Sequence, residues 1–274
     1  MRATLPLSTV TALAWTLGAA SLLLWLLRLG VTLRPAAATD VVQLGVAEAL
    51  AFVLATQGVL SLHGGDGALS SSLGLRPAHP PLLVLGLVLG FVTHFPAEAV
   101  DALMARLSPQ TAEQDLAAQA LLLSASSPLR LVVVLLVVAC VGPLVEELFF
   151  RGALFGALLR GRGVGAASAV SGLCFVVGHL NHRKWPALAV VALVLSHLRA
   201  VSGSVLPGLA MHVAFNAVTV LAVFAGEGRT TMPERIDLLP ALLGAAATVA
   251  LSLAVHHVAS RAPGVRRGRA EDAQ

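Results

Sequence analysis

Two adjacent carboxylates and an arginine stand in a stretch otherwise oily enough to cross a bilayer: Pro143-Leu144-Val145-Glu146-Glu147-Leu148-Phe149-Phe150-Arg151. An ionisable side chain at the centre of a membrane helix costs about 2.5–3.5 kcal/mol on insertion scales, so three together mark a functional site whose partners must be found. Glu147 and Arg151 are four apart, share a helix face and can neutralise each other. Glu146 is turned by about 100° from Glu147 and is not readily reached by that contact. One carboxylate is thus compensated within its own helix. The other is left free to act as a base, with partners from other segments.

Further polar residues recur in the apolar segments that follow. Phe175 and His179 are four apart, and so are His212 and Asn216, so each pair points one way on a helix. Singly these are weak signals, because a buried histidine is more often a hydrogen-bonded core residue and an asparagine can simply bridge helices. Together with Glu146 they are what a hydrolase in a membrane needs. A carboxylate can deprotonate water, a histidine can position that water or pass a proton to the leaving amine, and a second histidine with an amide N–H can stabilise an oxyanion. The bland alternative is a polar network that only holds helices together.

The elements that must position these residues are membrane helices. Of the 274 residues 57% are hydrophobic and 12% charged, against about 25% charged in a soluble domain, and the mean hydropathy is +0.86. The expected fold is all-α: a polytopic bundle of about eight transmembrane helices with an interior polar cavity. Apolar runs at about 5–27, 41–62, 81–95, 129–159, 164–180, 185–198, 204–225 and 238–258 supply the eight. The first is long for a signal-peptide core and reads as a retained helix. Asp40 should cap the second, and Glu48 and Gln57, which interrupt it, should face the bundle interior. Residues 97–127, carrying Glu98, Asp101, Arg106, Glu113 and Asp115, form either one or two interfacial amphipathic helices or a solvated loop. Cys140 and Cys174 read as small core hydrophobes, not a disulfide or a metal pair.

The high isoelectric point, near 10.4, comes largely from arginine, with Lys184 the only lysine. Basic loops facing the cytoplasm and anionic lipid account for it. A nucleic-acid partner is excluded, since there is no basic–aromatic stripe, phosphate-binding glycine loop or sizeable soluble domain. Arg160, Arg162 and a tail with Arg261, Arg266, Arg267 and Arg269 place both termini in the cytoplasm, although His182 to Lys184 would then lie outside.

In order, E-E-x-x-x-R at Glu146, Glu147 and Arg151, F-x-x-x-H at Phe175 and His179, and H-x-x-x-N at His212 and Asn216 resemble the CAAX-protease and bacteriocin-processing (CPBP) family of intramembrane endopeptidases. The resemblance covers about 128–223, which divides the chain into N-terminal helices (1–127), a protease-like core (128–223) and a last helix with a basic tail (224–274). It implies a water-filled cavity at the level of the motifs. It further implies that Glu146 activates water with His179, that His212 and Asn216 form the oxyanion hole, that Glu147 and Arg151 support and orient, and that Phe175 lines the cavity.

The family has been read as both metallo and glutamic. Glu146, His179 and His212 could be three zinc ligands with an open fourth position. Against zinc, H-E-x-x-H is absent, the three come singly from three helices, and no carboxylate obviously backs either histidine, Glu147 being committed to Arg151. The metal-free mechanism is favoured, with no cofactor. A non-enzymatic transporter or immunity-type factor stays open, with Glu48, His94 and Glu98 as relay groups. The crowding of polar residues into one third of the chain, without paired broken helices, favours the protease. The expected substrate is a peptide or membrane-anchored protein in the bilayer, prenylated or not, and the composition suggests a bacterial inner membrane.

Overall fold

The structure, a computed structural model, describes residues 5–35, 40–65, 68–108, 127–225 and 237–261. Helices make up its ordered elements, and no strand occurs among the described residues. The first four are α1 (Thr9–Leu33), α2 (Val41–His63), the short α3 (Leu69–Ser72) and α4 (Pro80–Leu107). A single 51-residue stretch, Pro128–Gly178, follows. It comprises α5 (Pro128–Val134), a π-helical turn (Leu135–Val141), α6 (Gly142–Glu147), a second π-helical turn (Leu148–Leu154) and α7 (Phe155–Gly178). The chain closes with α8 (Trp185–Ser202), α9 (Leu206–Phe224) and α10 (Leu238–Arg261).

Among the described residues seven helical stretches are long and apolar enough to cross a membrane, and the protein is an integral membrane protein. The 51-residue stretch is too long for one pass at about 20 residues per crossing. Gly163, with φ 75 and ψ 169, breaks it, a conformation that glycine adopts without a Cβ penalty. The expected eight helices are therefore present, two of them joined at this bend.

Local chemistry sets the ends. Ser8 caps α1 through its side chain, which accepts from the Thr11 N–H, and Asp40 caps α2 by accepting from the N–H groups of Val42 and Gln43. Both satisfy donors that a helix start leaves orphaned. The third apolar run does not stop at Phe95. α4 runs through Pro96 to Leu107, since a proline removes one backbone bond and neighbouring helices in a membrane bundle tolerate the loss. Residues 97–107 are thus its continuation rather than a separate amphipathic helix, and Glu113 and Asp115 lie outside the described residues.

Two of the chain's interior expectations are corrected. Gln57 is exposed, because nine residues from Glu48 at 100° each is a half-turn, and the two cannot face the same side. Cys140 is exposed while Cys174 is buried, and both are free thiols.

The closest helix approach sets the position of α9. Gly86 and Gly90 on α4 form a G-x-x-x-G stripe, and a Cβ on either would meet backbone oxygen of α9: Pro207 at 2.4 Å and Met211 at 2.3 Å. Small residues of this kind let two helix backbones touch within a membrane. Met211 precedes His212, so the stripe fixes how far that histidine reaches inward. Gly90→Val should push α9 away and cost about 10²-fold in activity, as a displacement of around 1 Å does, measurable as kcat on the folded variant.

At one end of the bundle the bend at Gly163 in α7 is tied to the N-terminal helices. Arg162 donates to Thr9 Oγ1 at 2.7 Å, Arg160 donates to the His63 carbonyl, and His63 Nδ1 donates to the Leu5 carbonyl at 2.9 Å. At the other end, Lys184 pairs with Asp101 at 2.6 Å, linking the loop after α7 to α4.

Candidate active site

The two π-helical turns bracket the Glu-Glu segment, and both matter to its geometry. A wider helical turn leaves a main-chain carbonyl without its usual partner, and such turns are frequent at functional sites. Here a side chain takes up one carbonyl from each. Asn216 Nδ2 of α9 donates to Val138 O at 2.9 Å, and Arg199 Nε of α8 donates to Arg151 O at 2.9 Å. Arg199 also lies over the Phe155 ring, 4.6 Å from its centroid. The segment 142–147 is thereby clamped at both ends by helices that follow it in the chain.

Glu147 and Arg151 are fully buried and joined by a hydrogen bond of 2.9 Å between Nη1 and Oε1. The same Oε1 lies 3.2 Å from His212 Nδ1. Glu147 is therefore not committed to Arg151 alone, and a carboxylate does stand behind one of the histidines. The sequence could not show this, because the contact joins residues 65 apart. A carboxylate can only accept, so Nδ1 of His212 carries a hydrogen. Nε2, on the far side of the ring, lies 3.7 Å from Glu146 Oε2.

Phe175 is the ring around which the site is assembled. The Arg151 guanidinium lies 4.3 Å from its centroid, and its ring meets those of His179 and His212 edge-on at 4.7 Å and 5.6 Å between centroids. An aromatic face attracts a cation and its positive edge suits neighbouring rings. His179 ends α7, where its Nδ1 donates to Phe175 O at 2.8 Å. That bond fixes the tautomer of the neutral ring and leaves Nε2 as an acceptor.

Leu180, the residue after His179, has φ 53. Left-handed backbone costs an L-residue about 1–2 kcal/mol, and such strain collects at functional sites. Leu180→Asn should be tolerated, whereas Leu180→Ile should lower the thermal midpoint, since β-branching is least compatible with positive φ.

A cavity of about 360 Å³ brings these groups together. Glu146, Phe175, His179, His212 and Asn216 all line it, although they come from three helical segments. Polarity is graded with depth: His212 is buried, Glu146 and Asn216 are half-buried, and His179 is exposed. Glu48 of α2, expected to face the interior and weighed as a relay group, lines the same cavity. Arg199 escaped the sequence reading; its signal was an ionisable residue just past the end of the 185–198 run. His94 and Glu98 pair with each other at 3.6 Å and do not line this cavity.

A zinc ion would need three of these side chains within reach of one point. Among the described residues no three His, Cys, Asp or Glu side chains gather closely enough to hold one. Both histidines have Nδ1 engaged, by Phe175 O and by Glu147, which leaves Nε2 as the free nitrogen of each ring, as it is in a metal-ligating histidine as well.

Residues 128–218 match the family model for type II CAAX prenyl endopeptidase, Rce1-like. The match covers about a third of the chain. The match contains both carboxylates, Arg151, Phe175, both histidines and Asn216, and leaves α1 to α4 and α10 outside it. No curated protein and no solved structure matches the chain. The similarity is thus to an endopeptidase of CAAX type, over that segment alone. The matched segment supplies most of the cavity lining, and α1 and α2 close it with Ala20, Leu23, Leu24, Leu44, Glu48 and Phe52.

Proposed function

We propose that the chain hydrolyses a peptide bond in a membrane-anchored peptide or protein by direct attack of a water activated by Glu146 and His179, with His212 and Asn216 as the oxyanion hole. The observation that carries this reading is the lining of one cavity, inside an apolar bundle, by all four side chains. Glu146 is the carboxylate without a guanidinium partner, free to take the proton of water. His179 offers Nε2 as an acceptor and so orients the same water by its second hydrogen. With Nδ1 of His212 held by Glu147, the Nε2 side of the ring faces the developing oxyanion and donates to it when that nitrogen carries a hydrogen. Asn216 gives one amide hydrogen to Val138 O and has a second for the oxyanion. Preorganised donors of this kind contribute about 10²–10³ in rate each.

No step of this mechanism needs an ion, and the expected effect of a strong chelator on the purified protein is none. Loss of cleavage with chelator, restored by Zn²⁺, would favour the zinc reading with Glu146, His179 and His212 as ligands. We further propose a bacterial inner membrane with both termini in the cytoplasm. The pairing of Lys184 with Asp101 reduces the positive charge on the loop that this orientation places outside.

The test is cleavage of membrane-anchored peptides by the protein in liposomes, followed by mass spectrometry of the products. Wild type should cut at defined bonds, and His179→Ala should cut at least about 10²-fold more slowly. Undiminished cleavage by His179→Ala, or no cleavage by wild type of any anchored peptide, prenylated or not, would count against the assignment.

A further inference from the structure

We propose that Glu48 is a second catalytic carboxyl of this site, the acid that protonates the departing amine. It rests on the reading of Glu146 as the base. Glu48 lies on α2, outside the residues that match the family model, yet its side chain lines the cavity that holds Glu146, His179 and His212. Its carboxyl group sits against the bare Cα of Gly142, where a Cβ would meet Oε2 at 3.1 Å and Oε1 at 3.3 Å. Gly142 and Glu146 are four apart on α6 and share a face. The glycine therefore makes room for Glu48 directly beside Glu146, one turn away along the same wall.

The other groups of the cavity leave a vacancy for an acid. His179 Nε2 is an acceptor once Nδ1 donates to Phe175 O, and Glu146 must be ionised to act as base. His212 is bound to Glu147 and faces the oxyanion. From α6 the titratable group facing Glu48 is Glu146, from α7 His179 and from α9 His212, while α1 contributes only Ala20, Leu23 and Leu24 to the lining. Two carboxyl groups along one wall of a cavity can divide the roles of base and acid with one proton between them.

The proton balance closes with that single proton. Glu146 takes a hydrogen from water as its oxygen bonds to the carbonyl carbon. The C–N bond then breaks, the Glu48 hydrogen goes to the nitrogen, and the products are a carboxylic acid and an amine. The pair ends with its one proton on Glu146 instead of Glu48, and solvent in the cavity returns it.

The test compares an amide substrate with an activated ester of the same acyl sequence, whose leaving group needs no proton. Glu48→Gln is expected to lower amide cleavage by about 10²–10⁴-fold and to leave ester cleavage near the wild-type rate. Wild-type amide cleavage should fall as pH rises through the titration of Glu48, and ester cleavage should lack that limb. Should Glu48→Gln fail to fold, Glu48→Asp carries the comparison, with amide cleavage lowered and the ester spared. Equal losses on both substrates, or no loss on either, would overturn the proposal. Glu146→Gln separates the two readings, because it should slow amide and ester alike. If it slows neither, the base assignment itself has failed.

Discussion

Glu146→Gln should lower kcat by about 10²–10⁴-fold, the range for removing a general base, while leaving the fold intact. The variant keeps the size of the side chain and both of its hydrogen-bonding atoms. It loses the ability to take a proton. Nothing in the packing of α6 depends on that ability, because the structural carboxylate is Glu147, whose Oε1 holds Arg151 and His212. Thermal unfolding in detergent should therefore be unchanged. Loss of activity accompanied by loss of fold would mean that Glu146 is a structural residue and that the division of labour between the two glutamates is wrong.

The second large effect concerns stability. Arg151 and Glu147 are 0% and 1% exposed, and removing one member of such a pair strands a buried charge at a cost of about 3–5 kcal/mol. Arg151→Met should accordingly destabilise the protein by that order. The pair is also incompletely satisfied, for Glu147 Oε2 and Arg151 Nε and Nη2 are buried without a hydrogen-bond partner. Removing both charges should therefore be far milder than removing one. Arg151→Met combined with Glu147→Gln is expected to regain most of the lost thermal stability. It should not regain activity, because His212 loses the carboxylate that holds its Nδ1. A double variant no more stable than Arg151→Met alone would show that the pair's burial is not what sets the cost.

The contrast between those two residues also shows what the sequence could and could not say. The pairing of Glu147 with Arg151 was legible because four-residue spacing on a helix is a local fact. The bond from Glu147 to His212 was not, because it joins α6 to α9 and depends on how closely α9 approaches. That approach is set by Gly86 and Gly90, which carry no chemistry of their own. The helix count was legible from hydrophobic runs, yet the Pro96 boundary was not, since a bundle supplies what a proline removes. Glu48 and Gln57 looked alike as polar interruptions of one run. Their half-turn separation sends one into the cavity and the other outward, and the choice of face depends on neighbours. The π-helical turns left no mark in the sequence. Only their consequence is visible, in the use of Asn216 and Arg199 to bind main-chain carbonyls.

α1, α2 and α4 complete a site whose motif residues lie in the segment that matches the family model. That segment carries the motif residues on three helices, α6, α7 and α9. α4 sets the depth of His212 through its glycines, and α1 and α2 close the cavity and bring Glu48 to it.

The central claim is that water attacks the peptide bond directly, with Glu146 as its base. A single turnover in H₂¹⁸O, with enzyme in excess over substrate, tests it most directly. The account predicts that the new carboxyl group of the product carries ¹⁸O from the first turnover and that the peptide containing Glu146 stays unlabelled. A product that leaves with ¹⁶O while the Glu146 peptide gains ¹⁸O would contradict it, since the glutamate would then have attacked the substrate itself.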